Sequence, residues 1–151
     1  MRRLILMLLF FSISSANATS MAPPPLDELV DFSSDIAVAK IVTFVGYRAN
    51  GELVTRGDLT TGCCYHNSIS AVVLVSERLV GNHLKVGAKL EIKLSTIANM
   101  TLSGMQEFFT GQDVIIFLRD TPKGLNSISD GLTFTDELPS VKKLISQRNV
   151  Q

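Results

Sequence analysis

The chain of 151 residues has no tryptophan, only two cysteines and no surplus of either charge, with 14 basic side chains against 14 acidic ones. No basic run follows Arg3, which removes the electrostatic footprint that nucleic acid or anionic lipid would demand. The cysteines are adjacent, Cys63 and Cys64, so together they cannot staple distant segments, and stability must come from apolar burial. Beyond the first residues no apolar run approaches the length of a membrane span. What is present is 46% hydrophobic and 19% charged residues, enough to fill the core of one domain and too apolar for global disorder.

Residues 1–18 read as a secretory signal peptide: Arg2 and Arg3, the apolar run Leu4 to Phe11, then Ser14-Ser15-Ala16-Asn17-Ala18 as a small-residue cleavage site. Cleavage after Ala18 removes two arginines and no acid, leaving a slightly acidic mature chain that is expected to be periplasmic or secreted. Residues 19–25, ending in three prolines, form an extended lead-in.

Residues 26–136 carry the pattern of a mainly β domain. Leu26, Leu29 and Val30 at helical spacing, with Asp27 and Glu28 in the first turn, predict a short helix ending at Ser33-Ser34. Two long strands follow, Asp35–Tyr47, bent near Gly46, and Ser68–Val80. Between them Arg48 to Asn67 is a long loop or a small hairpin excursion opened by Asn50-Gly51. Lys89 to Leu94 alternates strictly, with Leu90, Ile92 and Leu94 inward. Ser95 to Thr110 is irregular or partly helical, with Phe108 and Phe109 in the core, and the unbroken run Val114 to Leu118 is a buried strand. Ser129-Asp130-Gly131 reads as a hairpin turn, and Asp136 as the cap of a last helix within residues 137–151. The expected architecture is a small five- to six-stranded OB-like barrel with a short N-terminal helix and a C-terminal helix.

Four segments carry a resemblance: Ser33 to Val42, Val75 to Gly81, Val86 to Ile92, and Gly111 to Leu118. In this order they resemble exported bacterial domains that look like the OB-fold half of tissue inhibitors of metalloproteinases and the related netrin modules. The resemblance spans about Leu26 to Thr135 and implies an exported barrel that binds something. The inhibitors use an N-terminal Cys-x-Cys against a protease zinc; this chain would begin Thr19-Ser20-Met21, so that device is not carried over.

Reactive side chains concentrate at Cys63-Cys64-Tyr65-His66. Thiols and imidazole ligate zinc or copper, and His83 would supply a fourth donor if the fold brought it near, although adjacent cysteines project apart. In an oxidising compartment a vicinal disulfide, one buried and one free thiol, or intermolecular pairing are all open. His66 and His83 otherwise read as surface or turn residues, and Asp58, Asp113, Asp130 and Glu107 lack the paired spacing of acid–base catalysis. Arg56-Gly57-Asp58 matches an adhesion tripeptide and is read as a turn; Asn99-Met100-Thr101 is a glycosylation sequon only in a eukaryotic host.

The leading expectation is thus a non-enzymatic exported binding domain without a cofactor. Its protein partner lies in the envelope or medium, and the 48–67 loop makes contact through Arg56, Asp58, Cys63, Cys64, Tyr65 and His66. An inhibitor or immunity-type protein is its specific form. The alternative is a periplasmic metal-binding or thiol-redox protein using Cys63, Cys64 and His66.

Overall fold

The computed structural model describes residues 24–61, 66–94 and 101–149, and only the backbone at 129–131. The expected signal peptide, most of the expected lead-in, Cys63, Cys64, Tyr65, and Asn99 and Met100 of the sequon lie outside the described residues. In chain order the elements are α1 (Leu26–Phe32), β1 (Asp35–Tyr47), β2 (Leu53–Val54), β3 (Ser68–Val80), β4 (Lys89–Leu94), α2 (Leu102–Phe109), β5 (Asp113–Thr121), β6 (Gly124–Phe134), a 3-10 turn (Thr135–Glu137) and α3 (Leu138–Arg148). Among the described residues no helix is long and apolar enough to cross a membrane.

The strands form one antiparallel sheet in the order β4-β3-β1-β5-β6, with β2 paired to the far end of β1. The expected OB-like barrel is only approximate, because the sheet is open. No ladder joins β4 to β6, although Leu90 and Leu94 from one edge and Leu125 and Leu132 from the other pack on the same core. Curvature comes from irregularities in the β1–β3 ladder between Ile36 and Ala37, Val38 and Ala39, and Ile41 and Thr43, since extra residues on one strand bend and twist it. It does not come from Gly46, which keeps its pairing to Ile69 and Val54.

Alternation sorts the side chains into two cores. On the concave face Ala37, Ala39, Ile41, Phe44, Ala71, Val73, Val114, Ile116 and Leu118 meet Leu102 and Met105 of α2. The three fully buried alanines are the small members of this layer and let the curled strands approach. On the opposite face Ile36, Ile115 and Phe117 are covered by Leu29 and Val30 of α1 and Val141 of α3. This is why Val114 to Leu118 shows no polar alternation: β5 is buried on both sides, one by its own sheet and the other by the two terminal helices.

Neither terminal helix is independent. With only 7 residues, α1 is too short to persist alone, and its C-terminal carbonyls are met from outside. Ser33 Oγ donates to Leu29 O at 2.5 Å, and Arg148 Nη1, at the end of α3, donates to Val30 O and Ser33 O at 2.9 Å each. A cation at that end also suits the helix dipole.

Three local expectations fail for identifiable reasons. Ser129-Asp130-Gly131 does not turn a hairpin; β6 runs through it, and the turn-prone residues fall in a wide irregularity, with Ile116 paired to Leu132 but Leu118 to Ser127. Asp136 does not cap α3, because a 3-10 turn intervenes and Glu137 takes the cap position without a side-chain bond. Phe108 is 64% exposed rather than in the core. Its neighbour Phe109 faces inward and contacts Phe44 and Phe134, with ring centroids 6.5 and 5.9 Å away.

Candidate functional site

The 48–67 loop begins as a hairpin. Asn50-Gly51 turns it, with Gly51 at φ +85°, Gly51 N–H bonding Arg48 O at 2.8 Å and Arg48 N–H bonding Glu52 O at 2.9 Å. β2 then returns alongside Gly46 and Tyr47. Past β2 the described residues 55–61 and 66–67 carry little regular structure, yet their backbone is fixed at several points. Leu59 is 5% exposed and packs where a Gly46 side chain would stand, so the glycine serves as a seat for the loop rather than as a bend. Leu59 O accepts from Leu102 N–H at 2.9 Å, and Thr60 bridges Thr101.

From α2, Gln106 Nε2 donates to Phe44 O and Thr55 O at 2.9 Å each, tying the core strand to the loop, and Ser103 Oγ donates to Asp58 Oδ1 at 3.0 Å. Asn67 spans the base, accepting from Ala49 N–H at 3.2 Å and donating to Thr60 O at 3.0 Å. Between these anchors lies a cavity of about 490 Å³, walled by Arg48, Val54, Arg56, Asp58, Thr60 and Asn67.

The described residues thus place Arg56 and Asp58 on one wall. Cys63, Cys64 and Tyr65 are outside the described residues, and His66, which follows them, is exposed. His83 does not join this group. It follows the far end of β3, a strand of 13 residues, and so lies about 40 Å of extended chain from His66. Among the described residues no cluster of three or more His, Cys, Asp and Glu side chains could hold a metal ion.

His83 belongs to a second constellation, at the opposite end of β1: it is the exposed turn residue its sequence context suggests, and in addition it holds a buried carboxylate. Asp35 opens β1 with no exposed surface, and its carboxylate is held by three donors. His83 Nδ1 lies 2.8 Å from Oδ2, His83 N–H donates to Oδ1 at 3.0 Å, and Ser34 Oγ donates to Oδ2 at 3.1 Å. Burial pushes the Asp35 carboxyl up, but the ring and backbone bonds of His83 with that of Ser34 outweigh it and hold the group below its ordinary value. The same hydrogen bond and charge raise the His83 imidazole, with Asp120 adding to the effect.

Chemically this is a clasp between the β3–β4 turn and the start of β1. Ser34 Oγ bonds the carboxylate and Leu118 O, so its hydroxyl is turned to those acceptors rather than to the imidazole. The signal available in sequence was a carboxylate opening an otherwise apolar strand, which must find donors when buried.

The pair fixes a pH dependence. His83, raised from 6.5, contributes stability that is complete below that value and lost as pH rises through its folded pKa. Asp35, lowered from 3.8, contributes above that value and loses its contribution as pH falls through its folded pKa. The clasp is therefore strongest between 3.8 and 6.5. Urea unfolding near pH 5 should give a higher midpoint than at about pH 8 or about pH 3, and Asp35→Asn should flatten that profile relative to the unsubstituted protein.

No protein-family model matches the chain, and comparison with curated proteins gives no match either.

Proposed function

We propose that this chain is an exported, non-enzymatic binding domain that engages a protein partner in the envelope or medium through the 48–67 loop. The reading rests on one observation above others: the described residues 55–61, irregular beyond β2, are held by α2, Asn67 and the Leu59 plug around an open cavity. Fixing an irregular, solvent-facing segment costs conformational entropy, and a contact surface ordered beforehand loses less on association. Loops at one rim are where OB-like folds take ligands. The likeness of the Ser33–Val42, Val75–Gly81, Val86–Ile92 and Gly111–Leu118 segments to exported domains that look like the inhibitor and netrin OB-fold supports an exported barrel that binds a partner. The small size and near-neutral charge fit an inhibitor or immunity-type form of it. The leader at residues 1–18 supports export.

Deleting the loop would remove Leu59 from the core along with the surface, so the test must leave the anchors intact. A photo-crosslinking side chain at Leu53, which is 54% exposed, or at Thr55, also exposed, is expected to trap one protein of the envelope or medium. The same group at Val86, 66% exposed in the β3–β4 turn, is expected to trap none. Equal trapping from both ends, or none from Leu53 and Thr55, would refute the assignment.

A further inference from the structure

The charges around the loop cavity are unequally committed. Arg48 pairs with Glu52 at 3.5 Å, and Asp58 accepts the Ser103 hydroxyl at 3.0 Å, which draws its carboxylate toward α2. The Asn67 amide is already shared between Ala49 and Thr60. Arg56 stands exposed on the cavity wall with no ionic or hydrogen-bonding partner among the described residues. Next to it Gly57 has φ +103° and open space where a side chain would be, so a ligand can approach the backbone closely there.

We infer that this cavity takes a carboxylate of the partner, and that Arg56 is the group that binds it. The inference rests on the binding reading above and gives its surface a chemistry: the complementary patch is acidic. A guanidinium presents a planar fork that meets a carboxylate through two parallel hydrogen bonds, a match that an ammonium cannot reproduce. On an open surface such a pair contributes little. Here the partner group would sit in a concavity where Arg48 and Asp58 each already have a partner, so the Arg56 fork is the uncommitted charged group it meets. Ser103 and Glu52 each occupy a neighbouring charge, and neither is positioned by Arg56, so replacing Arg56 leaves the loop's anchors in place.

The test is titration of the ¹⁵N-labelled protein with three short peptides: a capped di-glutamate, a triglycine with a free C-terminal carboxylate, and a capped di-lysine. One or both carboxylate peptides should shift the amides of residues 56–60 and Asn67 with a dissociation constant of about a millimolar, and the lysine peptide should not. The stronger of the two identifies the source as an acidic side chain or a chain terminus. Arg56→Gln should weaken binding by about tenfold or more, Arg56→Lys should restore part of it, and about 0.5 M salt should weaken it in the unsubstituted protein. Absence of shifts with both carboxylate peptides, or equal shifts in Arg56→Gln, would overturn the inference. If crosslinking from Leu53 then still traps a protein, the binding surface stands and only its acidic recognition falls.

Discussion

Gly81→Ala is expected to lower the free energy of unfolding by about 2–5 kcal/mol, the sum of a left-handed backbone penalty and overpacking in a tight site. Gly81 follows β3 at φ +89°, and a β-carbon there would run into the Asp35 carboxylate and stand 2.6 Å from the Ser34 backbone oxygen. Neither obstacle can swing aside. The carboxylate is held by His83 and Ser34, and the Ser34 peptide is tied to Leu118 O through its own N–H at 2.9 Å. The control is Gly87→Ala, in the same turn. Gly87 has φ +84° with nothing within 4 Å of a β-carbon, so that variant carries only the backbone penalty, about 1–2 kcal/mol. Urea unfolding of both variants separates the terms. Equal losses would show that the clasp yields freely and that its packing contributes nothing.

The second large effect is expected at Phe117→Ala, at about 3–5 kcal/mol, a large part of the roughly 5–15 kcal/mol by which a domain is stable. Phe117 has no exposed surface and joins Ile36 and Ile115 under Leu29, Val30 and Val141. Its removal empties the layer between the sheet and both terminal helices. Beyond the shift in urea midpoint, amide exchange should accelerate selectively in α1 and α3, while the Ala39–Phe44 part of β1 and the Ile69–Val75 part of β3, which feed the concave core, keep their protection. Phe108→Ala, at a position 64% exposed, should fall within about 0.5 kcal/mol of the unsubstituted protein. Uniform acceleration across all strands would mean that the two cores are not separable layers.

These expectations also mark where the sequence could be read and where it could not. The strands β1, β3 and β4 announce themselves by alternation or by apolar runs bounded by turn residues. Period is a property of neighbours along the chain and needs no tertiary information. Ser129-Asp130-Gly131 carried a true turn signal, but whether such residues reverse the chain or bulge within a strand depends on what β5 offers opposite them. The same limit applies to the clasp. That Asp35 needs donors follows from its place at the head of an apolar strand, but that His83 supplies them, 48 residues later, follows only from the β1–β3 register. In the loop, the residue types that suggested contact chemistry were visible, whereas Leu59, Asn67 and Gln106, which hold it in shape, look ordinary in sequence. Their role is to face a particular backbone carbonyl or a missing β-carbon, and neither is written locally.

The bonds from Arg148 to Val30 and Ser33 bear on the order in which the molecule can be assembled. The first helix is completed by a side chain from the last, and both press on a strand lying between them in sequence. A ribosome that releases the chain from its amino end therefore delivers α1 long before the groups that satisfy it. The outer layer can close only once α3 has emerged, so the covering of β5 by α1 and α3 follows the synthesis of every strand of the sheet.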